Sequence, residues 1–86
     1  MILKRIRISK HAREQMKERG AEANEVEKAI RSGEEFPAKK NRRAFRLNFQ
    51  YDNLWAGKFY RTKQVIPIIV EESNAVVVVT VYVLYF

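Results

Sequence analysis

Several residue types that support chemistry are scarce or missing in this 86-residue sequence. There is no cysteine and only one histidine, His11, which excludes a disulfide framework and argues against a zinc site. The three glycines are isolated, so no phosphate-binding glycine loop is present. The adjacent acids Glu71 and Glu72 would point to opposite sides of a strand and do not form a carboxylate pair. We therefore expect neither a metal nor a cofactor.

Long apolar runs are also missing. The most apolar stretch, Ala75 to Phe86, is shorter than the roughly 18 residues needed to cross a bilayer, and it contains Thr80. No apolar segment typical of a signal peptide follows the basic amino-terminal residues. These features predict a cytoplasmic protein without membrane contact, folded as a single domain over residues 1–86.

Acidic residues are outnumbered, with 10 against 17 lysines and arginines, which gives a net charge of +7. A cationic surface concentrates polyanions and gains free energy when it displaces their counterions. The charge therefore favours a nucleic acid or an acidic protein as the partner, although a surplus of charge for solubility would look the same.

Two helices are predicted from their end signals. Ser9 is a typical N-cap and Gly20 a typical C-cap for a helix over Lys10–Arg19. A second helix is predicted from about Ala23 to Ser32, closed by Gly33, because apolar residues recur there at helical spacing.

The remaining segments predict strands. Alternation between Ile2 and Ile8 indicates a short first strand, and three more are expected at about residues 44–51, 58–70 and 75–85. Residues 36–43 are expected to form a basic loop, and residues 52–57 are expected to form a second loop that contains Trp55. Pro67 is expected to mark an edge strand or a bulge. The sequence thus predicts an α+β fold of order β-α-α-β-β-β, with a two-helix hairpin on one face of an antiparallel sheet.

The other face of that sheet should be free of helices. If the helices cover Phe45, Leu47 and Phe49 together with the valines at positions 77, 79, 81 and 83, parity places Arg46 and Tyr82 on the opposite face. The long middle strand would add either Arg61 and Lys63 or Tyr60, Thr62 and Gln64. Cations and aromatic rings on a sheet are typical of RNA-binding surfaces, but alternating polar residues also occur on ordinary solvated faces.

The residue types present allow metal-independent cleavage of RNA by its own 2′-hydroxyl. His11 could accept the hydroxyl proton, Tyr82 or Tyr60 could protonate the leaving oxygen, and a cation could stabilise the phosphorane. The cation candidates for this role are Arg46, Arg61 and Lys63. The predicted nucleic-acid contacts are Lys39, Lys40, Arg42, Arg43, Arg61 and Lys63. Each of these residues also has an ordinary structural explanation.

The segment SKHAREQMKERG, followed by NEVEKAI and later by VVVTVY, resembles the bacterial domain-of-unknown-function family numbered 4258. That family in turn resembles the RelE/ParE-type and BrnT-type toxins. The resemblance implies a metal-independent ribonuclease-like fold, and it implies functional roles for His11, Thr80 and Tyr82. Arg13, Arg19 and Arg46 would be supporting cations.

Three functions remain open from the sequence. The first is a toxin-type endoribonuclease that acts on RNA and is held in check by an acidic antitoxin-like protein. The second is a nucleic-acid-binding module that does not cut. The third is a protein-interaction domain that packs an exposed Trp55 and Phe86 against another chain.

Overall fold

The computed structural model describes residues 4–86, so the part of the predicted first strand at Ile2 and Leu3 lies outside the described residues. Within residues 4–86, two helices and five strands follow one another. They are β1 (Arg5–Ile8), α1 (Lys10–Arg19), α2 (Ala23–Ser32), β2 (Glu34–Pro37), β3 (Arg43–Trp55), β4 (Lys58–Glu71) and β5 (Ala75–Tyr85). The α+β class and both predicted helices are confirmed. Neither helix is long and apolar enough to cross a membrane.

The ends of α1 and α2 are fixed by local hydrogen bonds. The Ser9 hydroxyl accepts a hydrogen bond from the Ala12 amide at 3.1 Å, and Gly20 closes α1 in the left-handed region at φ 83°. At the start of α2 the Glu25 carboxylate accepts a hydrogen bond from the Glu22 amide at 2.9 Å. Because these bonds satisfy groups that a helix leaves unpaired, both helix ends are well defined.

The sheet is mixed, not purely antiparallel as predicted. Its strand order is β1-β5-β4-β3-β2, and β1 pairs with β5 in parallel, with Ile6 opposite Val76. All other pairs are antiparallel. The strands β1 and β5 are not joined by a hairpin, so no short turn imposes an antiparallel direction on them.

Part of the predicted basic loop is a strand. β2 pairs with β3, with Glu34 opposite Arg46, and residues 38–42 alone form the connection. Lys40 and Asn41 occupy positive φ angles of 61° and 59°, and the Arg42 amide donates to the Lys39 carbonyl oxygen at 3.3 Å. Positive φ at both central residues is characteristic of a type I′ turn, the tight connection of a β-hairpin. We call residues 38–42 the basic hairpin loop.

A bulge on β5 changes which valines face the core, compared with the prediction. Ile68 pairs with Thr80 but Ile69 pairs with Val78, so Val79 is the extra residue. Core side chains therefore sit at positions 76 and 78 before the bulge and at 81 and 83 after it. The expected run of odd-numbered core valines was wrong for the first half of the strand. The bulge lies beside Pro67, which belongs to the central strand and not to an edge.

One hydrophobic core joins both helices to one face of the sheet. Met16 of α1 and Val26 and Ile30 of α2 pack with Val65 and Ile69 of β4 and with other buried sheet residues. Since both helices contribute to this core, the opposite face of the sheet carries no helix within residues 4–86. We call that surface the open face.

Trp55 does not lie in a loop. β3 extends to Trp55, and a two-residue turn at Ala56 and Gly57 leads directly into β4. The indole stacks on the Tyr85 ring with centroids 4.9 Å apart and an interplanar angle of 13°. Because this ring is packed within the domain, Trp55 is not the exposed anchor that the protein-interaction alternative required.

Candidate functional site

The strand registers bring polar and apolar side chains of three strands together on the open face. Arg46 and Tyr82 lie on this same face, as predicted, because Asn48, Gln64 and Leu84 are aligned across β3, β4 and β5. The Gln64 side chain donates to the Asn48 carbonyl oxygen at 2.7 Å. Of the option that named Tyr60, Thr62 and Gln64, the strand registers place Thr62 and Gln64 on the open face, whereas the Tyr60 ring lies against the Tyr85 ring.

A cavity of about 290 Å³ lies on this face beside the basic hairpin loop. It is lined by Ala38, Lys39, Lys40, Arg42, Ile68, Thr80 and Tyr82. The basic hairpin loop thus brings its cations to the same cavity as Thr80 and Tyr82 of β5. Five of the residues predicted from the sequence thus share one site, which we call the basic pocket.

Tyr82 is held from the side by α1. The guanidinium carbon of Arg19 lies 5.2 Å from the centroid of the Tyr82 ring, and Arg19 Nη1 donates to the Val81 carbonyl oxygen at 2.7 Å. A cation over an aromatic face is attractive, and the hydrogen bond fixes its position. Tyr82 as a residue nevertheless remains 49% exposed, which leaves it accessible to a ligand.

Arg46 lies on the open face with its charge already paired. Its Nε donates to the Glu34 carboxylate at 2.5 Å, and its guanidinium carbon lies 4.7 Å from the centroid of the Phe36 ring. The same residue lines a second depression of about 330 Å³ together with Asn48 and Gln64. A phosphate at Arg46 would have to compete with Glu34, which makes Arg46 a secondary contact.

Arg43 is committed to an ion-pair network outside the basic pocket. It binds both carboxylate oxygens of Glu35, at 2.6 and 2.9 Å, and contacts Glu71 at 2.5 Å. The hydrogen bond from Arg43 lowers the pKa of Glu35, and hydrogen bonds from Lys4 and Arg43 lower the pKa of Glu71. Two carboxylates already occupy this guanidinium, so we remove Arg43 from the predicted nucleic-acid contacts.

Lys63 faces the helices, not the open face. It is only 5% exposed, and its ammonium lies 2.9 Å from the Glu25 carboxylate and 2.8 Å from the Gly20 carbonyl oxygen. Lysine is rarely buried, so sequence reasoning placed it at the surface. Its side chain is inaccessible to phosphate, and Lys63 is also removed from the predicted contacts.

The remaining predicted residues are not drawn into the pocket. His11 is exposed in the first turn of α1, and no described hydrogen bond or ring contact joins it to Thr80, Tyr82 or Arg46. Arg61 is exposed on β4. Tyr60 lies 5.6 Å from the Tyr85 ring, measured between centroids, and belongs to that aromatic cluster. In residues 4–86 no three potential metal-ligating side chains come together.

Two cations of β1 were missed as contributors to the open face. Ile6 and Ile8 pack against the core, so the intervening Arg5 and Arg7 point to the other side of the sheet, and both are exposed. The period-two pattern contained this information. The side of the sheet could not be assigned to Arg5 and Arg7 because the position of β1 beside β5 was not predicted.

Comparison with known proteins identifies the family but not an activity. A family model described as a domain of unknown function, DUF4258, matches residues 8–83. Searches of curated proteins and of solved structures give no match. The family match runs from the end of β1 almost to the end of β5 and includes both helices and the basic hairpin loop. The chain therefore belongs to the DUF4258 family.

Proposed function

We propose that this protein binds RNA on its open face and uses the basic pocket to hold a phosphate group. The observation that carries this proposal is the grouping of Lys39, Lys40 and Arg42 with the hydroxyls of Thr80 and Tyr82 around one cavity of about 290 Å³. The cations supply phosphate contacts, whereas the hydroxyls supply directional hydrogen bonds.

Aromatic stacking provides the second part of the proposed interaction. A base stacked on an exposed ring contributes roughly 1–3 kcal/mol, and Tyr82 offers such a ring at the edge of the pocket. RNA is favoured over duplex DNA because the unstacked bases of a single strand can lie against a sheet, whereas the bases of a duplex are stacked inside it. The hydroxyls of Thr80 and Tyr82 can also contact a ribose 2′-OH. Arg5 extends the positive charge along the same face, and so does Arg7, whose Nη2 lies 3.7 Å from the Glu72 carboxylate.

A second candidate function, toxin-type ribonuclease activity, is favoured by the position of the Tyr82 phenol among three cations. In this reaction the ribose 2′-oxygen would attack phosphorus, and the bond from phosphorus to the 5′-oxygen would break. The products would be a 2′,3′-cyclic phosphate and a free 5′-hydroxyl. Tyr82 would donate the proton to the leaving oxygen, and the hairpin cations would stabilise the phosphorane. The proton from the 2′-hydroxyl would pass to solvent.

The binding proposal is tested by fluorescence anisotropy with a labelled single-stranded RNA of about 12 nucleotides. A variant with Lys39, Lys40 and Arg42 replaced by alanine is compared with one in which Lys10, Lys17 and Lys28 are replaced. Both variants lose three cations, but the second set lies on the helices. The pocket variant should bind at least about tenfold more weakly, and its logarithmic salt slope should fall by about 2. Equal losses in the two variants would contradict a localised site.

The ribonuclease candidate needs its own assay. The protein is incubated with the same RNA in EDTA, and products are separated on a denaturing gel for the parent, Tyr82→Phe and His11→Ala. Cleavage that Tyr82→Phe reduces by at least about a hundredfold would support the proposed acid. The structure gives no contact between His11 and the pocket, so His11→Ala should cut normally. Binding without any cleavage by the parent would reject this candidate and leave RNA binding intact.

A further inference from the structure

The carboxyl-terminal half of β5 has one edge without a neighbouring strand. β1 covers β5 only from Ala75 to Val78, whereas β5 continues to Tyr85. On the other side, β4 pairs with β5 along this whole half. A strand edge of this kind presents unpaired amide and carbonyl groups that readily accept another strand.

The hydrogen-bond pattern identifies which groups face that edge. Thr62 and Phe86 exchange both backbone hydrogen bonds, at 2.8 and 3.0 Å. Because such pairs alternate along an antiparallel ladder, Leu84 also bonds to β4, whereas Val83 and Tyr85 point their amide and carbonyl groups outward. Within residues 4–86 no described hydrogen bond occupies these outward groups.

The residue before them shows how the domain protects the same edge. Val81 also points outward, and side chains of α1 satisfy both of its backbone groups. Its amide donates to the Gln15 side chain at 2.9 Å, and its carbonyl oxygen accepts from Arg19 at 2.7 Å. This protection stops at Val81, so the edge beyond it is open.

Large apolar side chains flank the open edge. Tyr82, Leu84 and Phe86 are 49%, 51% and 57% exposed, and their alternation places them on one face of β5. Apolar side chains exposed beside unpaired backbone groups are the features that an added strand uses for specificity and affinity, respectively. We call Val83, Tyr85 and these three side chains the β5 edge.

We propose that the β5 edge is a docking site for an extended, acidic segment of a partner protein, which adds as a sixth strand beside Val83 and Tyr85. Alternate side chains of the segment would pack on Leu84 and Phe86. This inference concerns an interaction surface and does not depend on RNA binding.

Charge complementarity favours an acidic partner over a second copy of this chain. Each chain carries a net charge of +7, and the Arg19 guanidinium lies at the start of the edge. Two copies paired through this edge would bring like charges together, which costs free energy and suppresses that association. Carboxylates on an incoming segment would be attracted to the same guanidinium.

The proposal is tested with a capped synthetic peptide of about ten residues that alternates valine and glutamate. Binding is followed by NMR with the ¹⁵N-labelled protein, together with hydrogen exchange. The Val83 and Tyr85 amides should become protected by at least about tenfold on adding the peptide. A peptide with lysine in place of glutamate should not protect them. Absence of protection at these amides with the glutamate peptide would overturn the proposal.

A matched pair of variants locates the contact. Leu84→Glu places an acid on the β5 edge, whereas Leu54→Glu places one on a leucine of β3 that is 61% exposed. The first should weaken binding of the glutamate peptide at least about tenfold, and the second should leave it unchanged. Equal weakening would place the contact elsewhere. Self-association of the free protein that Leu84→Glu abolishes would instead assign the edge to a second copy.

Discussion

The ammonium of Lys63 lies 2.9 Å from the carboxylate of Glu25, and the two side chains connect the central strand to α2. Lys63 also donates to the Gly20 carbonyl oxygen, and Glu25 also accepts from the Glu22 amide. A single buried ion pair therefore satisfies backbone groups at the end of α1 and at the start of α2. This relationship fixes the turn between the helices to the sheet.

Replacing Lys63 with methionine should destabilise the protein by about 3 kcal/mol, because it leaves the largely buried Glu25 carboxylate and the Gly20 carbonyl oxygen without their cation. Urea denaturation measures the loss. The exposed Lys28→Met variant is the control and should change stability by less than about 0.5 kcal/mol. Similar values for both variants would mean that the ion pair does not support the helix turn.

Gly20→Ala should be more destabilising than Gly57→Ala, although both glycines have φ of +83°. A Cβ atom at Gly20 would lie 2.5 Å from the Tyr85 hydroxyl and 2.7 Å from the Trp55 ring, whereas nothing lies within 4 Å at Gly57. Both variants pay about 1–2 kcal/mol for a left-handed alanine, and only Gly20 adds a cost of roughly 1–3 kcal/mol for overpacking. Equal losses on thermal or urea unfolding would show that the aromatic cluster does not pack tightly on this turn.

Stability should fall as the pH rises above the ordinary tyrosine range. Burial, followed by the charges of Tyr51 and Glu25, raises the pKa of Tyr85 from 10.0 to about 12. Because the pKa of Tyr85 is higher in the folded state, Tyr85 ionises first in the unfolded chain. Its contribution to the free energy of unfolding is therefore complete below pH 10 and is lost as the pH approaches 12. Urea midpoints at about pH 9 and about pH 11 measure the loss.

Tyr85→Phe is the control for that pH dependence. It removes the ionisable group and also the hydrogen bond to the Arg19 carbonyl oxygen, so it should be less stable than the parent at about pH 9. Its further loss between the two pH values should be smaller than that of the parent. An identical loss in both proteins would assign the alkaline transition to other residues.

The helices were predictable because their signals are local. Ser9 and Gly20 bound α1 within the chain itself, and α2 follows a clear apolar repeat. The bulge at Val79 was not predictable, because positions 76–79 are all valine and no pattern distinguishes the extra residue. β2 was missed because Glu34–Pro37 is short and does not alternate.

The part of the candidate site that depends on local alternation was also predictable. Parity within β3 and β5 correctly placed Arg46 with Tyr82, because no bulge lies between either residue and the aligned pair of Asn48 and Leu84. The predictions that were wrong concern residues whose environment depends on distant segments of the chain. Lys63 is buried by α2, and Arg43 is captured by Glu35 and Glu71. Such pairings join residues that are far apart in sequence, so no local sequence pattern indicates them.

The most direct test of the central claim is an NMR titration of the ¹⁵N-labelled protein with single-stranded RNA. RNA bound on the open face should shift the amides around the basic pocket, at Lys40, Ile68, Thr80 and Tyr82, and leave those of Glu14 and Glu27 on the outer sides of the helices nearly unchanged. Shifts concentrated on the helices, or spread evenly over all basic residues, would contradict an RNA site on the open face.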